Sequence, residues 1–129
     1  MSEERAPLVL VVDDYADGRE MCAEYLTYSG VRVEQAEDGN EALEKAFRDR
    51  PDVVLMDLSL PGIDGWEATR RLKADPRTRD VRVIALTAHA LETYAEQARE
   101  AGCDAIVTKP CLPSELAAEV RRQLARGGG

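Results

Sequence analysis

Several scarcities in this chain narrow its possible functions before any motif is considered. Its 129 residues include one histidine, three cysteines, one phenylalanine and one tryptophan. A zinc centre takes three or four Cys, His or acidic ligands at short spacing. Cys22, Cys103, Cys111 and His89 offer no such spacing. An odd number of widely separated cysteines does not build a disulfide frame either, so all three read as small packing residues. No apolar run approaches the roughly 20 residues of a membrane helix, and Met1-Ser2-Glu3-Glu4-Arg5 is too polar for a secretory signal. The expectation is a cytoplasmic protein without membrane contact. Basic residues are outnumbered, 17 against 25 acidic. Because phosphate backbones are bound chiefly through Lys and Arg, no direct nucleic-acid partner is expected, and proteins or cations are favoured. The length fits one domain. We expect an N-terminal tail over 1–7, a folded domain over 8–126 and a disordered tail over 127–129, with any DNA-binding or catalytic output domain on another chain.

The chain does contain a regular alternation of two patterns. Leu8-Val9-Leu10-Val11-Val12 is an unbroken apolar run, as expected of a strand buried on both faces of a parallel sheet. After Asp13-Asp14, the residues Gly18, Cys22, Tyr25, Leu26 and Ser29 recur at helical spacing until Gly30 offers a left-handed stop. Val31 to Ala36 begins by alternating, which suits a strand nearer a sheet edge. Asp38-Gly39-Asn40 is a turn and cap signal, followed by a helical face of Ala42, Leu43 and Ala46 that Pro51 ends. A third strand runs from Asp52 to Asp57, and Pro61-Gly62 turns the chain. Asp64-Gly65-Trp66-Glu67 resembles a capping box for a helix reaching about Ala74. Val81 to Leu86 is a fourth strand ending in Thr87. The next helix has Leu91, Tyr94, Ala95, Ala98 and Ala101 on one face and Gly102 as its stop. Ala105 to Thr108 is a fifth strand, and Pro113 opens a last helix carrying Leu116, Val120 and Leu124. Five strands alternating with five helices predict a doubly wound α/β fold with a parallel sheet. Periodicity alone does not set the strand order.

In such sheets ligands bind beyond the carboxyl ends of the strands. Those ends read Asp13-Asp14, Asp57, Thr87 and Lys109. A single acid after a strand usually caps or turns the chain, but three carboxylates, a hydroxyl and an ammonium at one edge imply chemistry. Clustered carboxylates repel one another, and a cation is the natural remedy. Oxygen ligands, few in number and with room for water, suit Mg²⁺. With the charge offset, one carboxylate can attack phosphorus while metal and ammonium share the charge on the phosphoryl oxygens. In that scheme Asp57 is the nucleophile and Asp13 and Asp14 hold the metal. Lys109 is the second positive charge, and Thr87 donates to a phosphoryl oxygen.

Four fragments, at the ends of the right strands and in this order, carry a resemblance. They are Val11-Val12-Asp13-Asp14, Met56-Asp57-Leu58-Ser59-Leu60-Pro61-Gly62-Ile63-Asp64-Gly65, Ala85-Leu86-Thr87-Ala88 and Lys109-Pro110. From about Leu8 to Arg126 the chain resembles the receiver domain of two-component response regulators, of the stand-alone type. The resemblance implies a flavodoxin-like sheet of order 2-1-3-4-5 and transfer of a phosphoryl group from a sensor histidine kinase onto Asp57, with Mg²⁺ bound. It further implies direct metal ligation by Asp14, Asp57 and the backbone carbonyl of Ser59, with Asp13 acting mainly through water, and a cis bond before Pro110. Phosphorylation would add charge and acceptors to the pocket, and Thr87 would move to meet them. That shift should alter the face made by helix four, strand five and helix five, where receivers meet downstream protein partners.

Family members often carry an aromatic three residues before the lysine; here it is Ile106, which excludes a rotameric tyrosine readout. Cys111 replaces the usual residue after Lys109-Pro110, and packing is its expected role over redox sensing. Ser59 and His89 occupy positions that tune phosphoryl loss in receivers, although a loop histidine without a partner is equally compatible with simple exposure. Trp66 is expected to pack half-buried near the site. Arg70, Arg71, Lys73, Arg77, Arg79 and Arg82 are expected to face solvent. The leading expectation is a phosphorylation-dependent protein-binding switch that catalyses its own phosphoryl transfer and hydrolysis. The alternative is a relay intermediate passing its phosphoryl group to a histidine phosphotransfer protein. An aspartyl phosphatase would need an Asp-x-Asp pair, and a flavodoxin-like nucleotide binder a hydroxyl- and glycine-rich loop after strand one; Asp13-Asp14-Tyr15-Ala16-Asp17 provides neither. A phosphorylation-independent scaffold stays open, with no residue arguing for it.

Overall fold

In a computed structural model, residues 6–58, 65–87, 92–109 and 112–127 are described. The elements alternate throughout as β1 (Leu8–Val12), α1 (Ala16–Tyr28), β2 (Arg32–Ala36), α2 (Gly39–Asp49), β3 (Val53–Asp57), α3 (Gly65–Ala74), β4 (Arg82–Thr87), α4 (Glu92–Ala101), β5 (Ala105–Thr108) and α5 (Pro113–Gly127). All four strand pairings are parallel, and the order is β2-β1-β3-β4-β5. Both the doubly wound class and the order implied by the resemblance are therefore observed.

The central strands β1 and β3 are buried at every position, which is why their sequences are uninterrupted apolar runs. Alternate residues feed opposite faces. Leu10, Val12, Val54, Met56 and Val83 pack with Ala42, Leu43 and Ala46 of α2 and with Ala68 and Leu72 of α3. Val9, Val11, Val53, Leu55, Ile84 and Leu86 pack with Leu26 of α1 and with Leu116, Ala117 and Val120 of α5. A third cluster joins Leu58 and Ala85 to Ala98 of α4, with Trp66, Cys103 and Ile106 against it. Trp66 is thus the half-buried packing residue expected. The α1 stripe needs one correction. Leu26 is buried in the core and Cys22 packs against the same cluster, as the stripe implies, but Tyr25 and Ser29 are exposed and Ala23 is buried instead.

Helix ends follow their local signals. Asp38 caps α2 by accepting from the Glu41 N–H at 2.8 Å, and Glu41 reaches back to the Glu37 N–H at 2.8 Å. Gly30 and Gly102, at φ of 104° and 105°, take the left-handed conformation that ends α1 and α4. The proposed cap Asp64 lies outside the described residues. Its neighbour Gly65 has a sharper role. A Cβ there would sit 2.5 Å from the Asp57 carbonyl oxygen and 2.8 Å from the Leu58 Cα, so only glycine lets α3 begin against the end of β3.

Among the described residues, no helix is long and apolar enough to cross a membrane. The basic stretch is largely paired. Arg70 and Arg71 meet Glu67, Arg77 meets Asp75, and Lys73 and Arg82 meet Asp104.

Candidate functional site

Register delivers the polar strand ends to one edge. Val12 of β1 is aligned with Ala36 and Met56, so Asp13 leaves the sheet level with Asp57. Asp57 aligns with Leu86 and Thr87 with Thr108, which brings the ends of β3, β4 and β5 alongside. Asp13, Asp57 and Thr87 are buried, at 7%, 5% and 4% exposure, whereas Asp14 is exposed. One oxygen from each of Asp13, Asp14 and Asp57 lies within 4.8 Å of the others. Three carboxylate oxygens at that spacing, with one residue open to water, match the donor set a hydrated Mg²⁺ accepts.

Lys109 closes the cluster from β5. Its Nζ donates to Asp57 Oδ2 at 3.1 Å and to Asp13 Oδ2 at 3.4 Å. Its own backbone N–H donates to the Thr87 carbonyl at 2.7 Å, fixing where the side chain starts. Burial opposes the charged ammonium, but hydrogen bonding to and attraction by Asp57 and Asp13 outweigh it and raise the Lys109 pKa above its ordinary value. Asp13 is held at several atoms. Its N–H donates to the Ala36 carbonyl at 3.1 Å, its Oδ1 accepts from the Tyr15 N–H at 2.9 Å, and its carbonyl accepts from Arg19 Nη1 at 2.9 Å.

Of the residues chosen from sequence, Asp13, Asp14, Asp57, Thr87 and Lys109 therefore stand at one edge. Ile106 lies one strand position from Val107, packed against the cluster that joins Ala85 of β4 to Ala98 of α4. Ser59, His89, Pro110 and Cys111 lie outside the described residues. Gly65 closes the fragment that begins at Met56, but its contact with the end of β3 has no local signal, and Arg19 belongs to none of the motifs, because an arginine in the first turn of a helix is ordinary. Cys103 behaves as a packing residue. Burial, countered in part by a weak contact with Thr69 Oγ1 at 3.9 Å, pushes its thiol up to about 11. Cys22 lines a cavity of about 320 Å³ together with Asp13, Tyr15, Gly18, Met21 and Lys109.

A parallel α/β sheet gathers three carboxylates and a lysine beyond its carboxyl ends, a donor set that could hold a cation. The model of the response regulator receiver domain matches residues 9–121, and the chain belongs to that family. It is 41% identical over 120 residues to the phosphate regulon transcriptional regulatory protein PhoB of Pseudomonas aeruginosa, covering 93% of this chain and 52% of PhoB. The chain thus spans about half the length of that relative. It is 37% identical over 102 residues to the polar-differentiation response regulator DivK of Brucella anthropi, covering 79% of this chain and 83% of DivK. Among solved structures, the receiver domain of the sensor histidine kinase PA1611 from P. aeruginosa PAO1 superposes with a TM-score of 0.86 at 35% identity, covering 93% of this chain and 98% of that one. That structure has a magnesium ion coordinated in its active-site cleft.

Proposed function

We propose that this receiver accepts a phosphoryl group on Asp57 from the phosphohistidine of a sensor histidine kinase and thereby switches the binding of a protein partner. The observation that carries the reading is the Asp57 carboxylate at the end of β3, within ligand spacing of Asp13 and Asp14 and 3.1 Å from Lys109 Nζ. Asp13, Asp14 and Asp57, with the Ser59 carbonyl expected to join them, would hold Mg²⁺. Bound there, Mg²⁺ supplies Lewis-acid stabilisation of the charge developing on phosphoryl oxygens. A carboxylate oxygen of Asp57 attacks phosphorus as the bond to the imidazole nitrogen breaks, and the nitrogen keeps that electron pair. Lys109, kept charged by its two carboxylate neighbours, attracts a phosphoryl oxygen from the β5 side. Thr87, buried at the end of β4, donates its hydroxyl to another. Water later hydrolyses the acyl phosphate, with Ser59 and His89 as candidate tuners of that rate.

Thr87 and Ile106 are the proposed movers. Ile106 touches the apolar cluster containing Ala98, so a change at β4 has a packed route to α4 and to the helix four, strand five, helix five face. The donor is proposed to approach from α1, where Tyr15 and Met21 are exposed and line the same cavity as Asp13 and Lys109. With no direct contact to nucleic acid or membrane proposed, the expected setting is the cytoplasm. The likeness to a receiver taken from a sensor histidine kinase favours a second reading, a relay intermediate that returns its phosphoryl group to a phosphotransfer histidine.

The test uses a small acyl or amido phosphate with Mg²⁺ and reads intact mass. Wild type should gain one phosphoryl adduct and Asp57→Asn none. An equal adduct on the variant, or none on wild type, would refute the assignment. Incubating labelled protein with a histidine phosphotransfer domain separates the two readings, since only a relay hands over its label faster than water removes it.

A further inference from the structure

Asp14 is an exposed member of the acidic cluster, and among the described residues its side chain makes no hydrogen bond or ion pair. No contact steers it, so the backbone sets only where it starts: the plane of the Asp13–Asp14 peptide fixes the position of the Asp14 Cα and with it the reach of the carboxylate. The carbonyl of that peptide is the atom Arg19 grips, at 2.9 Å from Nη1. The same guanidinium donates through Nε to Gln35 Oε1 at 3.0 Å, so it is anchored on β2 as well as on α1. Gln35 is fixed in turn. It pairs with Val11 across the sheet, and its carbonyl accepts from Lys45 of α2, which also pairs with Glu41 at 3.1 Å. A continuous set of polar contacts thus runs from α2 through the edge strand to the peptide between two of the three carboxylates.

We infer that Arg19, held by Gln35, is a positioning residue that sets the orientation of the Asp13–Asp14 peptide and so preorganises the acidic cluster for its cation. The inference rests on the Mg²⁺ reading above and adds to it a control of affinity from the β2 edge. Charge and geometry make opposite demands here. A cation beside three carboxylates lowers their pull on a second cation, so a purely electrostatic Arg19 would weaken Mg²⁺ binding and its removal would tighten it. An orienting Arg19 does the reverse, and outer contacts of this type commonly change metal affinity about 10–100-fold.

The deciding experiment is a Mg²⁺ titration of the unphosphorylated protein, followed by amide chemical shifts, for wild type, Arg19→Met and Gln35→Met. Arg19→Met should weaken Mg²⁺ roughly tenfold, at the low end of that range because the Tyr15 and Ala36 contacts to Asp13 persist. Gln35→Met keeps the charge and loosens only its anchor, so it should weaken binding a few-fold in the same direction. Arg19→Met that folds and binds Mg²⁺ as tightly as wild type, or more tightly, overturns the inference. If Arg19→Met loses the native spectrum, Gln35→Met decides alone, and an affinity within about twofold of wild type overturns it. Wild-type protein that binds no Mg²⁺ would instead sink the metal reading itself, and this inference with it.

Discussion

The sheet carries a charged cluster at each end, and the two are built on opposite principles. At the amino ends of β4 and β5, the single carboxylate of Asp104 accepts from Lys73 Nζ at 2.9 Å, from the Val83 N–H at 2.8 Å and from Arg82 Nη1 at 3.4 Å, while Lys73 also donates to the Val81 carbonyl at 2.7 Å. At the carboxyl ends, among the described residues, three carboxylates gather around one lysine ammonium that reaches two of them. One end has more cationic donors than its acid needs; the other has more acid than its cation can offset. The saturated cluster stabilises what is already folded. The unsaturated one stores a deficit that a ligand can relieve.

Several measurements would sharpen or break that contrast. The largest effect is expected at the saturated end. Asp104→Ala leaves two partly buried cations and a backbone N–H without their acceptor and should cost about 3 kcal/mol, on the order of 10 °C in Tm, with Mg²⁺ affinity unchanged. A loss under about 0.5 kcal/mol would mean the cluster is solvated and structurally idle. At the opposite end Mg²⁺ itself should stabilise, by about 1.4 kcal/mol at ten times its Kd, and a chelator should remove the whole gain. A melting temperature indifferent to Mg²⁺ would contradict a built-in charge deficit. Smaller, and opposite in sign to Asp104→Ala, Asp14→Asn should raise stability in chelator by about 0.5–1 kcal/mol while abolishing the Mg²⁺ increment, because it removes one of three repelling charges. Destabilisation by Asp14→Asn in chelator would show that repulsion is not stored there.

The smallest effect concerns pH. The Lys109 pKa lies above its ordinary value when folded, so the stability it contributes is present below the unfolded lysine value and lost as pH rises through the folded one. The Cys103 thiol, at about 11 against an ordinary 9.0, contributes in the same sense, full below 9 and lost as pH approaches 11. Chemical denaturation should therefore show stability falling along an alkaline limb, and Cys103 should resist alkylation at pH 8 in native protein. Rapid modification of Cys103 under those conditions would show that its burial is not maintained.

Legibility from sequence followed the same division. The alternation of apolar runs with helical stripes was sufficient for the doubly wound class, because β1 and β3 are buried on both faces and must be written in Val, Leu and Met. The strand-end residues Asp13, Asp14, Asp57, Thr87 and Lys109 were visible because a polar residue directly after an apolar run is local information. Strand order came from the resemblance, since register between distant strands leaves no local trace. Arg19 and Gln35 stayed hidden for a related reason. Sixteen positions apart, they meet only once β2 lies beside β1, and each alone is an ordinary polar residue on a half-buried surface. The α1 stripe was misread at Tyr25 and Ser29 because a spacing rule cannot tell which of two adjacent helical rows turns inward.

Gly65 gives the site an uneven stiffness. With the start of α3 seated on the Asp57 carbonyl and the Leu58 Cα, closer than any side chain would allow, the end of β3 is wedged from one side by backbone that cannot yield. Under the phosphorylation proposed above, Asp57 would have little room to retreat toward α3. Accommodation would then fall to the Thr87 hydroxyl and the Lys109 stem, so the direction in which the site gives way would be set by a residue that takes no part in its chemistry.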